Sequence, residues 1–302
     1  MEAKTMTILP EGLWTLLASI VLLGGVLGCQ QQGDSSLRDH VTRSGTVEAS
    51  ERWSGQVKLT GDVVIPEGVL VSVKPGANVN FVDSSDHDVR VATRSDSTEV
   101  LTHDGLVDVV VWGNLRIPAS SDAMVYVGTA GEGDLRWGSI LFMGPNERSV
   151  IRHTEIKHGK GAVVFAGDSK ARLEASLVSF GGINVRTFDV ARPTLVDNRL
   201  ENAFAAVYSY HRSEPAVRGN RLTTLTHGVG ATDQSQPYVA NNTITSAQTA
   251  IICMDAARPR IEANTIQDND YGLVVRDQAR PALRENVIEN SGKQDVVGLD
   301  GE

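Results

Sequence analysis

The chain has 302 residues, and its acids exceed its bases by 37 to 28, for a net charge of −9. Without a basic cluster, that balance argues against nucleic acid as a partner, because phosphate neutralisation needs a positive face. Few aromatics (5%) and 29 glycines suit a turn-dense β protein better than a helical bundle.

The first element is an apolar run from Leu13 to Gly28 that stops at Cys29. It falls short of the roughly 20 residues a membrane-spanning helix needs and fits the apolar core of an export signal. Val26-Leu27-Gly28-Cys29 resembles a lipobox, which implies a signal peptide over 1–28 and lipidation of Cys29. Leu27 is bulkier than usual for that motif, and the leader is barely basic, with Lys4 against Glu2 and Glu11. An uncleaved short anchor is therefore the alternative. Residues 29–51 are polar and almost free of aliphatics, the composition of a flexible linker that buries no core. Gln30, rather than Asp, follows the cysteine and resembles lipoproteins sorted to the outer membrane. The expected location is the cell envelope, with the membrane as partner through a lipid anchor.

From residue 52 onward the chain reads as β structure. Gly61-Asp62-Val63-Val64-Ile65-Pro66 and Trp137-Gly138-Ser139-Ile140 are short apolar strands among turns. Between them, residues 83–105 interrupt the rhythm with charge, which predicts a loop projecting from the body. The decisive signal comes later. Pro193, Pro215, Pro237, Pro259 and Pro281 recur every 22 residues, and Asn198, Asn220, Asn242, Asn264 and Asn286 keep the same step. Aliphatic columns run in phase with them: Leu195, Val217, Val239, Ile261, Leu283; Leu200, Leu222, Ile244, Ile266, Ile288; and Val207, Val229, Ile251, Leu273. Each unit reads as three short strands with alternating inward positions. One unit cannot close a core alone, so the units must stack. The inward asparagines are expected to bond backbone and their own copies in neighbouring coils. Cys253 falls in an inward column and reads as a buried thiol.

The pattern Pro-x-aliphatic-x-x-Asn-x-aliphatic, followed by Gly-aliphatic, resembles the pectate-lyase-like superfamily over residues 52–302. This implies an all-β fold, a right-handed single-stranded parallel β-helix with ~22-residue coils. At fold level it also resembles the β-helix accessory proteins of periplasmic copper-enzyme maturation, a likeness that does not transmit function.

Alternation places Arg186, Tyr208, Ile252 and Val274 outward on one stacked sheet, with Phe188, Tyr210, Met254 and Arg276 beside them. Exposed aromatics there would form a strip for sugar or protein, and Arg186, Phe188, Tyr208, Tyr210, Met254 and Asp277 are its candidate ligand-binding residues. A polar column follows: Asp189, His211, Asp233, Asp255 and Asp277. Asp233, Asp255, Arg276 and His211 are the candidates for acid–base work, which would make the protein a polysaccharide lyase or glycosidase acting on an acidic polysaccharide. The competing reading is turn chemistry, offset by Arg192, Arg258 and Arg280 three residues on from an Asp. No metal site is expected, and no cofactor, with calcium on the carboxylate column as the alternative. The five C-terminal units carry no insertion, so they lack the long loops that wall catalytic grooves. The first expectation is an envelope-anchored, non-catalytic β-helix lipoprotein presenting a lateral face to glycan or protein.

Overall fold

A computed structural model describes residues 40–82, 89–94, 99–129 and 137–298; the apolar leader, Cys29 and most of the linker lie outside them. The strands form where the alternation placed them, and each pairs in parallel with its copy one coil away. Leu195, Val217, Val239, Ile261 and Leu283 are direct partners in one such file. Leu200, Leu222, Ile244, Ile266 and Ile288 form a second file, and Val207, Val229, Ile251 and Leu273 a third. The result is a parallel β-solenoid with three strand-bearing faces. Among the described residues, the first face is a sheet of ten strands, from Glu51–Trp53 to Ala282–Arg284. The other two merge into one 17-stranded sheet, because strands such as Arg199–Ser209 and Thr243–Cys253 run through the corner between them. We call the face ending in Gly-aliphatic strands the lateral face. It holds Trp137–Phe142, Ile183–Thr187 and the later halves of the long strands.

Corners turn on single residues in the left-handed region, for example Asp197, Asn241 and Ala263 in one column and Asn202, Thr224 and Ser246 in another. Inside, the aliphatic files form one continuous core. Within it Trp137 stacks on Phe81 at 4.2 Å, and its indole N–H donates to the Lys157 carbonyl at 2.7 Å. The asparagine column behaves as expected. Oδ1 of Asn220, Asn242 and Asn264 each accepts both the backbone N–H and the side-chain amide of the asparagine one coil upstream, at 2.9–3.0 Å. Each amide also donates to a carbonyl 25 residues earlier, such as Asn242 to Val217. Inside the file each asparagine is satisfied by its neighbours above and below, and the file ends at Asn286.

Cys253 lies in the core, and burial pushes its thiol up to about 12. Thiolate is the reactive form, so iodoacetamide at pH 8 should leave Cys253 unlabelled in the native protein and modify it in urea. Peptide mapping reads this directly. Rapid native labelling would contradict the packing.

Two expectations are corrected. The linker does not run to residue 51, because His40–Thr46 is a strand paired with Gln56–Leu59 and Val63–Val64. Its burial is light, with Val41 and Val47 as the inward anchors, which is why its polar composition resembles a tether. The charged segment does not project either. Its described residues, 89–94 and 99–105, fold back across the lateral face as a strap closed by an antiparallel bridge between Ala92 and Val100. Val91 and Leu101 are buried there against Val110, Leu141, Val164 and Phe188.

Candidate functional site

The strap divides the lateral face into a covered and an open part. Along the outward file, Arg186 pairs with Tyr208, then Gly230, Ile252 and Val274. Phe188 was expected to be exposed but is only 1% accessible, since the strap's apolar residues lie on it. Tyr210 stacks on Phe188 at 4.7 Å with rings 5° from parallel, and Tyr208 stacks on Tyr210 at 5.0 Å. Tyr208, Ile252 and Val274 were likewise expected to be exposed but are 9%, 5% and 5% accessible, so the outward file is largely covered, and Tyr208 contributes to a wall of the groove beyond the strap. Gly230 makes this possible, because a Cβ there would stand 2.4 Å from the Tyr208 ring. Where the strap ends, a groove of about 360 Å³ opens, with Tyr208, His227, Ile252, Met254, Tyr271 and Arg276 among its walls. Burial, and then nearby Arg276, hold His227 below the ordinary imidazole range, so it is neutral at pH 7. His227 was not foreseen. Its signal was the outward file Ala205, His227, Thr249, Tyr271 in the position before the Gly-aliphatic pair.

The polar column is consumed by turns. Asp189, His211, Asp233, Asp255 and Asp277 all have φ between 54° and 57°. Each accepts the backbone N–H of the turn residue one coil upstream. Asp277 takes that of Asp255 at 3.2 Å, Asp255 that of Asp233 at 3.1 Å, and Asp233 that of His211 at 2.8 Å. His211 Nδ1 takes that of Asp189 at 3.1 Å, and Asp189 takes those of Gly167 at 2.8 Å and Arg94 at 3.0 Å. Because Nδ1 accepts, the imidazole proton lies on Nε2, 3.1 Å from Glu99 in the strap. The Thr232 hydroxyl also donates to Asp255, and these bonds hold its carboxyl below the usual carboxylate range. A carboxylate held in its ionised form is a poor proton donor. Of the arginines expected to offset this column, Arg192 pairs with Glu214 instead. Arg276 and Asp277 are exposed on the rim, and Met254 is half-buried.

Under the strap lies a second polar group. Asp108, 1% accessible, accepts the backbone N–H of Ser139 at 2.6 Å and that of His103 at 2.7 Å. Its Oδ1 is also 3.1 Å from His103 Nδ1. His103 Nε2 faces the Arg186 guanidinium at 3.3 Å. Asp62, one coil upstream, accepts N–H groups from Asp108 and Val89. These bonds pin the strap to the sheet.

A family model described as "Periplasmic copper-binding protein (NosD)" matches residues 118–298, more than half of the chain. The chain belongs to the NosD family. A search of curated proteins finds no match. The family description raises the question of copper, and among the described residues the groove holds two donors of the right kind, the His227 imidazole, whose Nδ1 has no partner, and the Met254 thioether. No three His, Cys, Asp or Glu side chains converge on a common point there. Copper favours imidazole and sulfur ligands with free lone pairs. His103 and His211 have both ring nitrogens engaged, and Cys253 is sealed in the core. His158 stacks on Phe180, away from the groove.

Proposed function

We propose that this protein is a non-catalytic, lipid-anchored lipoprotein of the cell envelope that presents its lateral groove to glycan. The observation that carries this reading is a groove of about 360 Å³ on the lateral face with Tyr208 and Tyr271 in its walls, at the end of the stacked Phe188–Tyr210–Tyr208 file. Aromatic faces pack against the apolar faces of sugar rings, and the groove pairs Tyr208 and Tyr271 with neutral and cationic polar groups at its rim. The carboxylates of the acidic column beside it accept backbone N–H groups of neighbouring turns, which supports a turn role over acid–base work. The family's periplasmic description supports an envelope location, and Cys29 with Gln30 supports the anchor and its outer-membrane sorting.

Glycan-array binding of the full chain tests the groove. Tyr208→Ala is expected to weaken any array hit about tenfold or more, equivalent to about 1.4 kcal/mol. Phe180→Ala, on a corner away from the groove, should leave it unchanged. Binding insensitive to Tyr208 would move the site elsewhere, and an envelope protein captured through Tyr208 in place of any glycan would change the partner class.

A further inference from the structure

Four of the six phenylalanines are buried, and two are not: Phe180 is 48% and Phe204 51% exposed. Both stand at the corner between the two halves of the 17-stranded sheet, where the Phe204 N–H donates to the Gly182 carbonyl one coil upstream at 2.8 Å. Phe180 is also held at φ 56°, in the left-handed column that runs through His158, Asn202, Thr224 and Ser246. Asparagine tolerates that conformation and a bulky aromatic does not. Neither core packing nor backbone geometry therefore explains an aromatic at this position. Clustered apolar side chains left open on a surface mark a place that meets something apolar.

The charge around the pair is one-sided. Corner positions 158–160, 180–182, 202–204, 224–226 and 246–248 hold no acid, in a chain of net charge −9. Lys157 lies over the Phe180 ring at 6.0 Å. Glu155 and Glu201, on the strands entering the corner, are already offset by Lys157 and Arg199. Lys160, whose backbone lies against Gly182, and Arg221, the strand partner of Arg199, are both exposed. Beside Phe204 opens a groove of about 490 Å³ with Asn202, Thr224, Thr226 and Ser246 among its walls, amide and hydroxyl donors that suit phosphate oxygens.

Apolar rings beside a rim of cations and neutral donors match the layering of a bilayer surface, with phosphates outside and acyl chains within. We propose that this corner docks on an anionic phospholipid surface, with Phe180 and Phe204 entering the boundary between headgroups and acyl chains and Lys160 and Arg221 facing the phosphates. A second copy of the chain fits less well, because a two-fold contact would set these cations against their own kind. The proposal does not rest on the glycan reading.

The test uses the full chain with vesicles of phosphatidylcholine alone or mixed with phosphatidylglycerol, so the leader is the same in every sample. Tryptophan is introduced as Phe180→Trp or Phe204→Trp, and wild-type emission is subtracted. With phosphatidylglycerol present, the added emission should shift to the blue and be quenched by brominated lipid. Val190→Trp, exposed on another corner, should stay unquenched. Lys160→Gln or Arg221→Gln in the Phe204→Trp background should each lower the docked-to-undocked ratio about fivefold, equivalent to ~1 kcal/mol. Phe180→Asn, the residue that Asn202 supplies one coil on, should weaken quenching at Phe204→Trp and melt at the wild-type temperature or above. Absent quenching, or quenching that ignores both phosphatidylglycerol and Lys160, overturns the proposal. A blue shift without vesicles that grows with protein concentration assigns the corner to a second copy and overturns it as well. A lowered melting temperature for Phe180→Asn gives Phe180 a structural role, with the same result.

Discussion

Asn242→Ala is expected to destabilise the folded body by about 3 kcal/mol, and Asn286→Ala by about 1 kcal/mol or less. Asn242 is 1% accessible and stands mid-file. Truncating it removes the acceptor of the Asn220 backbone N–H and amide, and the donor to the Val217 carbonyl. Each buried group left unpaired costs about 1–3 kcal/mol, and water cannot enter to replace the partner. Asn286 makes the same bonds, to Asn264 and Ile261, but its coil is open. Leu283 is 40% and Val287 49% exposed, so solvent can substitute and local fraying has already taken part of the cost. Urea melts of the full chain, followed by tryptophan fluorescence, read both. Equal losses at the two positions would contradict a file whose strength depends on neighbours above and below.

Asp108→Asn should cost a similar amount, about 3 kcal/mol, and release the strap. The change is isosteric but reverses the polarity of one oxygen. Oδ1 faces the Ser139 N–H and His103 Nδ1, while Oδ2 faces the His103 backbone N–H. An amide group in either orientation therefore points its NH₂ at a backbone donor. Limited proteolysis should show new cleavage within residues 89–106 before the solenoid unfolds, and Phe188 should become accessible beneath it. Protection equal to wild type would mean that apolar contacts of Val91 and Leu101 hold the strap unaided.

Much of the fold was legible because a stacked repeat prints the same inward positions again and again. Leu195, Leu200 and Val207 declared a core side, and the asparagine file declared its own partners. The strap was not legible for a definite reason. Val91 and Leu101 are isolated apolar residues in a charged stretch, and only their placement over Phe188 makes them core. Alternation states which side of a sheet Phe188 faces, and says nothing of what covers that side. The first strand was hidden in the same way, since Thr42, Arg43 and Ser44 carry no apolar alternation. Arg186 was read as a surface residue of a strip, and its enclosure depends on Gly161 and His103, which lie far from it in sequence. His211 and Asp255 had the residue types of an acid–base pair, but their left-handed turn geometry commits them to backbone donors.

The constant step between coils has a consequence for how such a groove evolves. Each coil of the lateral face contributes one rung of Tyr208, Gly230, Ile252 and Val274 type, so the distance from the strap to the far rim is counted in whole rungs. Duplicating or deleting one unit of coding sequence shifts nothing out of phase, because Asn, Pro and aliphatic files rejoin their own kind across the seam. Groove length can thus be edited in increments of one strand spacing, ~4.8 Å, while the packing at the strap end is inherited intact. The architecture behaves as a molecular ruler with a fixed zero mark.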